Sequence, residues 1–251
     1  MSFLSNLFHS VLFQPLFNIL IVFYLFIPGN DFGIAIIALT LLVKIILYPL
    51  GAKAVKTQRD FSRIQPLLKE IQEKYKDDKE TQSKEIMNLY KKEKVNPFSP
   101  LLTLIIQLPI LWALYWVVQQ GLQAPQASIL YSFIPAPSEI NPFFLKIIDL
   151  SKPNWIFAVV AAALQFWQVK TAVVKQKADK NNKSKKTDIS KMMEKQMQYF
   201  TPAFTLLILF NFPSAIGLYW IVNTLFTIGQ QYLIFKKPKT ELLTPELTPK
   251  S

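Results

Sequence analysis

The sequence predicts an all-α membrane protein: a five-transmembrane-helix core with a cytoplasmic helical hairpin and an N-terminal interfacial helix. Three observations carry this reading. The 251-residue chain is 51% hydrophobic yet has a formal net charge of +12, a combination foreign to soluble globules and usual for membrane proteins with basic loops. Five apolar segments have, or come close to, the roughly 17–25 residues that cross a bilayer. Finally, 25 of the 28 Lys and Arg residues fall in three segments outside those spans. The absence of Cys excludes disulfides, thiolate metal sites and a lipid-anchored N-terminal Cys. His9, the single histidine, cannot build a metal site of the usual kinds, so neither a metal nor another cofactor is expected.

Residues 1–30 form the N-terminal unit. They contain no Lys, Arg, Asp or Glu, so neither a basic-headed signal peptide nor an Arg-rich transit peptide is expected. Within them, Ser5–Ile27 is interrupted by Pro15 and carries His9, Gln14 and Asn18 at intervals of four to five residues. That spacing predicts an amphipathic helix on the outer membrane surface. A further span is the alternative, and charge does not separate the two, because both leave Pro28–Asp31 outside.

The core is predicted over residues 31–235, with spans Phe32–Leu50, Pro100–Gln119, Asn154–Val169, Met197–Phe212 and Ser214–Phe235. Pro49, Pro109, Pro202 and Pro213 fall in or beside them, where neighbouring helices can satisfy freed backbone groups. Between the first two spans, residues 51–99 hold two helical patterns. Ile64, Leu67, Leu68, Ile71 and Tyr75 form one apolar stripe, and Ile86, Leu89 and Tyr90 another. Asp77-Asp78 reads as the turn and Asn96-Pro97 as the stop. The pair lacks a third element to cover its stripes, so it is expected to be mobile or to rest on the membrane or a client. Residues 170–196 form a basic loop. Its centre is too poor in apolar residues to fold and suits anionic headgroups or RNA, although no DNA- or RNA-reading motif is present. Residues 236–251 are a basic tail.

Charge sets the orientation. Segment 51–99 holds 12 Lys and Arg, segment 170–196 nine and the tail four, against only Lys146 and Lys152 in loop 120–153. The positive-inside rule places the three basic segments, and with them the C-terminus, in the cytoplasm and 120–153 outside. Trp112, Tyr115, Trp116 and Trp155 then lie where an aromatic belt or simple packing would put them.

Lys44 stands alone in an apolar run, where a cation costs at least about 2.5–3.5 kcal/mol and must face a partner or water. Counted from the cytoplasmic ends at 1.5 Å per residue, Lys44 is roughly 9 Å deep, Gln107 roughly 10 Å, and Gln165, Gln168 and Gln230 no more than roughly 8 Å. Asn223 sits near mid-membrane. The outer stretches Phe32–Leu39, Ile110–Val118 and Trp155–Ala163 contain no amide or charge. A single Gln is often interhelical glue, and Lys44 could snorkel with help. Such groups at one depth on several helices point instead to a shared hydrated hollow, open to the cytoplasm and sealed outside by apolar packing. A channel would need polar groups at all depths. A proton-coupled carrier would show intramembrane Asp, Glu or His, and an enzyme a nucleophile and base in reach of each other. A transporter of a small anionic solute through Lys44 stays open as an alternative.

Several stretches resemble the YidC/Oxa/Alb membrane-protein insertases in order and spacing: GIAIIALTLLVKIILYPL, QPLLKEIQEKYKDDKE, MNLYKKEKVNPF with IIQLPILWALYWVV, MQYFTPAF and FPSAIGLYWIVNTLFTIGQQ. The resemblance implies a bacterial inner-membrane insertase or folding chaperone with a groove that eases a client's polar segment across the bilayer. It implies nascent membrane proteins and lipid as partners. Ribosomes or targeting factors are candidate contacts of the basic loop and tail, and the Sec translocon is a further candidate partner. In the family an Arg on the first core span supplies the groove's positive charge; Lys44 occupies that position here. Arg has a planar fork and Lys a point charge, so the substitution bears directly on the charge role. The family's second-span Gln matches Gln107, and its aromatic pair matches Tyr219 and Trp220.

Overall fold

The computed structural model describes residues 3–96, 99–122, 128–172 and 188–236, and they are mostly helical. The helices are α1 (Phe3–Phe8), α2 (Gln14–Phe26), α3 (Phe32–Ile46), α4 (Tyr48–Lys74), α5 (Lys79–Lys92), α6 (Ser99–Leu122), α7 (Trp155–Ala172), α8 (Asp188–Leu209) and α9 (Ser214–Lys236). A small antiparallel hairpin, β1 (Phe143–Phe144) and β2 (Ile148–Asp149), precedes α7. Residues 173–187, the centre of the basic loop, lie outside the described residues, as does the tail from 237. Asp188–Gln196, read from sequence as loop, is the first part of α8.

Pro15 does not break the N-terminal helix. A π turn over His9–Phe13 joins α1 to α2, and Pro15 falls at the start of α2, where its missing N–H leaves little unsatisfied. Asn18 is buried: its amide donates to the Gln14 and Ile129 carbonyls (2.7 and 3.1 Å) and its oxygen accepts from the Tyr131 N–H at 2.7 Å. The Gln14 amide donates to Ile129 O and the Tyr24 hydroxyl accepts from Asn141 N–H. Gln14, Asn18 and Tyr24 therefore clamp the 129–141 segment rather than face water, whereas His9 is exposed. Among the described residues, Asn6–Phe26 is the one straight helix long and apolar enough by composition to cross a membrane.

α3 begins on a side-chain cap: Asp31 accepts from Ile34 N–H at 2.9 Å, meeting one of the orphan donors of a helix start. It stops at Ile46, short of the Leu50 read from sequence. Leu47 leaves helical geometry (φ −86°, ψ 8°), Pro49 opens α4, and the axis turns by 71°. A proline supplies no N–H and is tolerated in the first turn of a helix, so the run divides in front of it.

The helix pair α4–α5 covers part of its apolar stripes with its own returning chain. Asp78 caps α5 through Thr81 N–H at 3.0 Å. The chain after α5 turns back and places Val95 with Ile64 and Leu68, all buried, against Phe61, Ile86, Leu89 and Tyr90. Arg63 meets Glu93 at 2.8 Å beside them. Leu67 and Met87 stay exposed.

The main apolar core is confined to one end of the bundle. Its buried members are Phe32–Leu39 positions of α3, Leu114–Val118 of α6, Phe157–Ala161 of α7, Leu209 of α8 and Ala215–Tyr219 of α9, with Phe13, Phe17, Leu20 and Ile21 laid against them. The β hairpin closes the same end. Ser214 N–H donates to Lys152 O, Ala215 N–H to Leu150 O and the Ser214 hydroxyl to Asp149 O. Phe144 rests on Gly33, where a Cβ would collide with its ring. The turn between the strands holds Leu145 and Lys146 at φ 51° and 61°, a left-handed conformation that costs an L-residue roughly 1–2 kcal/mol.

Candidate functional site

At the other end the buried residues change character. Thr40, Thr205, Thr224, Gln230 and Gln231 are buried there, and α9 is their hub. At 100° per residue, Tyr219, Trp220, Asn223, Thr227, Gln230 and Gln231 fall within one arc of about 120°, spread over roughly 18 Å of helix. α3, α4 and α7 supply partners to that arc.

Lys44 is half-buried on α3. Its ammonium donates to Thr227 Oγ1 at 3.2 Å, and the Thr227 hydroxyl donates to the Asn223 carbonyl at 2.8 Å. The hydroxyl proton is thus engaged by α9's own backbone, which turns the oxygen's lone pairs toward the ammonium. Among the described residues the ammonium's other donors meet no partner, which leaves them to an anion. Asn223 Oδ1 is buried with no hydrogen-bond partner among the described residues. An acceptor left so is costly, and water or a peptide N–H would relieve it.

Gln165 joins three helices. Its Oε1 accepts from Trp220 Nε1 at 2.7 Å and from Thr205 Oγ1 at 2.9 Å, filling both lone pairs of one oxygen. Gln230 is buried and donates to Tyr48 O at 3.0 Å, with its amide lying against Gly51. Gln231 bonds to Gln58 at 3.3 Å and accepts from Thr171 at 3.4 Å. These bonds tie the start of α4 to the end of α9, and Arg59 adds a contact over the Phe235 ring at 5.7 Å. A cation over an aromatic face is favourable.

The structure thus places the sequence-derived residues unequally. Lys44 and Asn223 meet through Thr227. Gln165 and Trp220 meet at a second point, and Gln230 at a third. Gln168 is half-buried on α7 without a described side-chain bond to the others. Tyr219 belongs to the apolar core. Gln107 lies on α6, and its side chain is outside the described residues. Sequence reading passed over Thr227, Gln231 and Gln58. Gln231 was open to discovery beside Gln230; Thr227 was not, because a threonine in a helix commonly bonds its own backbone.

A polar end opposite an apolar end defines a class: an all-α protein with broad exposed apolar helix faces and a lysine on one helix facing the polar stripe of another. Family comparison then makes the particular assignment. The model of the family described as 60Kd inner membrane protein matches residues 22–241. The chain is 34% identical over 233 residues to the membrane protein insertase YidC of Pelobacter propionicus, covering 90% of this chain and 39% of that protein. It is 35% identical over 207 residues to the proteins of the same name from Francisella tularensis subsp. novicida and subsp. holarctica, covering 82% of this chain and 32% of those proteins. The chain belongs to the 60Kd inner membrane protein (YidC/Oxa/Alb) family. It spans 32% to 39% of the length of these curated relatives.

Proposed function

We propose that this chain is the membrane-embedded unit of an insertase in a bacterial inner membrane. It lowers the barrier for a client's short polar segment while the client's apolar segment moves into lipid. The observation that carries the proposal is the uneven interior: apolar burial dominates at the end of the β hairpin, where buried Asn18, Asp31 and Ser214 are bonded to backbone, while polar side chains bonded across helices and a cation gather toward the end of α4. A polar segment entering from the α4 end would find Lys44, Asn223 and the α9 stripe in place of part of its water. Unmet polar groups in lipid each cost several kcal/mol, so a few such contacts change the barrier substantially.

In this reading the five spans lie along α3, α6, α7, the latter half of α8 and α9. The α4–α5 pair, the basic loop and the C-terminus face the cytoplasm. Support comes from the ends that the helices share: loop 129–152 lies with the starts of α3, α7 and α9, and the basic segments emerge at their far ends. In this reading the N-terminal helix lies on the outer surface, although it is long and apolar enough to cross a membrane. Its contacts from Gln14 to Tyr24 run along the 129–141 segment, and Leu20 meets Gly121 beside Phe32 at the same end of the bundle. Clients are nascent membrane proteins. The helical pair receives them, and the basic loop and tail contact ribosomes, targeting factors or the Sec translocon.

Reconstitution alone in liposomes tests this. A ribosome-made single-span client with a short acidic outer tail is added, and protease protection of the tail is compared for empty liposomes, wild type, Lys44→Arg and Lys44→Ala. Wild type and Lys44→Arg protect the tail, and Lys44→Ala protects it about fivefold less, the scale of one ~1 kcal/mol charge contact. Equal protection by all three variants sinks the charge role and keeps the insertase. Protection no better than in empty liposomes sinks autonomous insertion, and solute flux without client would then identify a transporter.

A further inference from the structure

The β1–β2 turn presents residues that a water-facing turn does not need. Leu145 is 55% exposed and Ile147 79% exposed, with Lys146 exposed between them. Positive φ at both central residues is what a tight hairpin turn of this type requires, and Asn-Gly is the usual solution. Here Leu145 and Lys146 hold it. The strain is sustained by fixed bonds: Leu145 N–H donates to Asp31 Oδ2 at 2.6 Å, Ile147 N–H to Phe144 O at 3.0 Å and Leu150 N–H to Pro142 O at 3.0 Å. Phe144 packs on Gly33 beneath. The backbone is therefore pinned from below, and the side chains at the tip point away from the protein.

We propose that this tip docks on anionic phospholipid headgroups of the outer leaflet. Leu145 and Ile147 enter the acyl boundary and Lys146 meets phosphate. The proposal rests on the orientation given above. Charge selects the occupant. Lys146 and Lys152 are the only cations of loop 120–153. Lys152 is held by Asp149 at 3.0 Å, whereas Lys146 enters no ion pair among the described residues. Beside the tip lies a 270 Å³ hollow lined by Lys146, Leu145, Asn30, Asn141 and Asp31; the Asp31 carboxylate is engaged by the Ile34 and Leu145 N–H groups, which leaves Lys146 as the group that meets phosphate at the exposed tip. Phe133 and Trp155, large and exposed on adjoining parts of this end, are of the kind that sits at a membrane interface. An apolar–basic–apolar tip matches the chemistry of that boundary, where stems bury and charges reach phosphate.

The chain has no cysteine, so one labelled cysteine reports cleanly. Ile147→Cys and, as a control in the same loop, Glu139→Cys carry an environment-sensitive fluorophore. Each is reconstituted at less than one copy per liposome, in phosphatidylcholine alone or with about 30% phosphatidylglycerol, an anionic content that attracts basic segments. An aqueous quencher is present on both faces. The expected result is a blue-shifted Ile147 probe quenched about threefold less than the Glu139 probe, more strongly shielded in the anionic liposomes, with Lys146→Gln abolishing that lipid difference. Equal quenching at the two sites overturns the proposal. So does shielding indifferent to lipid charge, or shielding that appears only when a second copy or a client is added, which would make the tip a protein contact. Sidedness of the Glu139 label in inverted membrane vesicles separately reports orientation, so failure of the underlying topology is distinguished from failure of the lipid contact.

Discussion

Lys44 would be a poorly directed charge on a flexible stem without Thr227. The threonine hydroxyl, committed to Asn223 O, offers the ammonium a fixed acceptor and so does for lysine some of what a planar guanidinium does by its own geometry. Thr227→Val keeps the shape and removes the acceptor. Insertion of an acidic-tailed client should fall about twofold to threefold, less than the loss on Lys44→Ala, because the hydroxyl only directs the ammonium. Thr227→Ser should restore it. In a Lys44→Ala background Thr227→Val should have no further effect; a full additional loss there would show that Thr227 acts structurally, as a double-mutant cycle separates the two.

The helix pair is an element with its own small core. Ile64 is fully buried among Leu68, Val95, Ile86 and Leu89, so Ile64→Ala should destabilise the pair by about 2–4 kcal/mol. Limited proteolysis should then cut within α4–α5 while α7–α9 stay protected; simultaneous cutting everywhere would mean that the pair and the bundle unfold together. The β hairpin responds to pH instead. The Ser151 hydroxyl and then Lys152 hold the Asp149 carboxyl below its ordinary 3.8. Its stabilising effect is present above that value and is lost as pH falls through the lower folded value. Amide protection of Ser151 should therefore drop below about pH 3.8, and Asp149→Asn should show the low protection already at neutral pH.

For the molecule as a whole, the division into an apolar end and a polar end predicts one-sided water access. With no native cysteine, Asn223→Cys should react with an impermeant maleimide from the α4 side, about tenfold faster than Ala215→Cys, because the latter is buried in the seal and burial blocks the reagent. Access to residue 223 from the hairpin side would argue for a continuous pore and against the groove.

Much of this organisation was legible in the chain. A lysine or glutamine in an apolar run stands out because lipid tolerates it poorly. Lys44, Gln165, Asn223 and Gln230, picked out this way, lie along the α9 stripe or bond to it in the structure. Helix existence was legible from apolar length, and the α5 start from Asp78. The helix break at Leu47 was not read, although Pro49 marked it, because an apolar run does not show where it bends. Only tertiary structure decided that Asn18 clamps a loop, that Val95 completes the core of the helix pair and that Thr227 receives Lys44. Each depends on a partner distant along the chain, and residue type and spacing say which groups need a partner without saying which partner the fold brings.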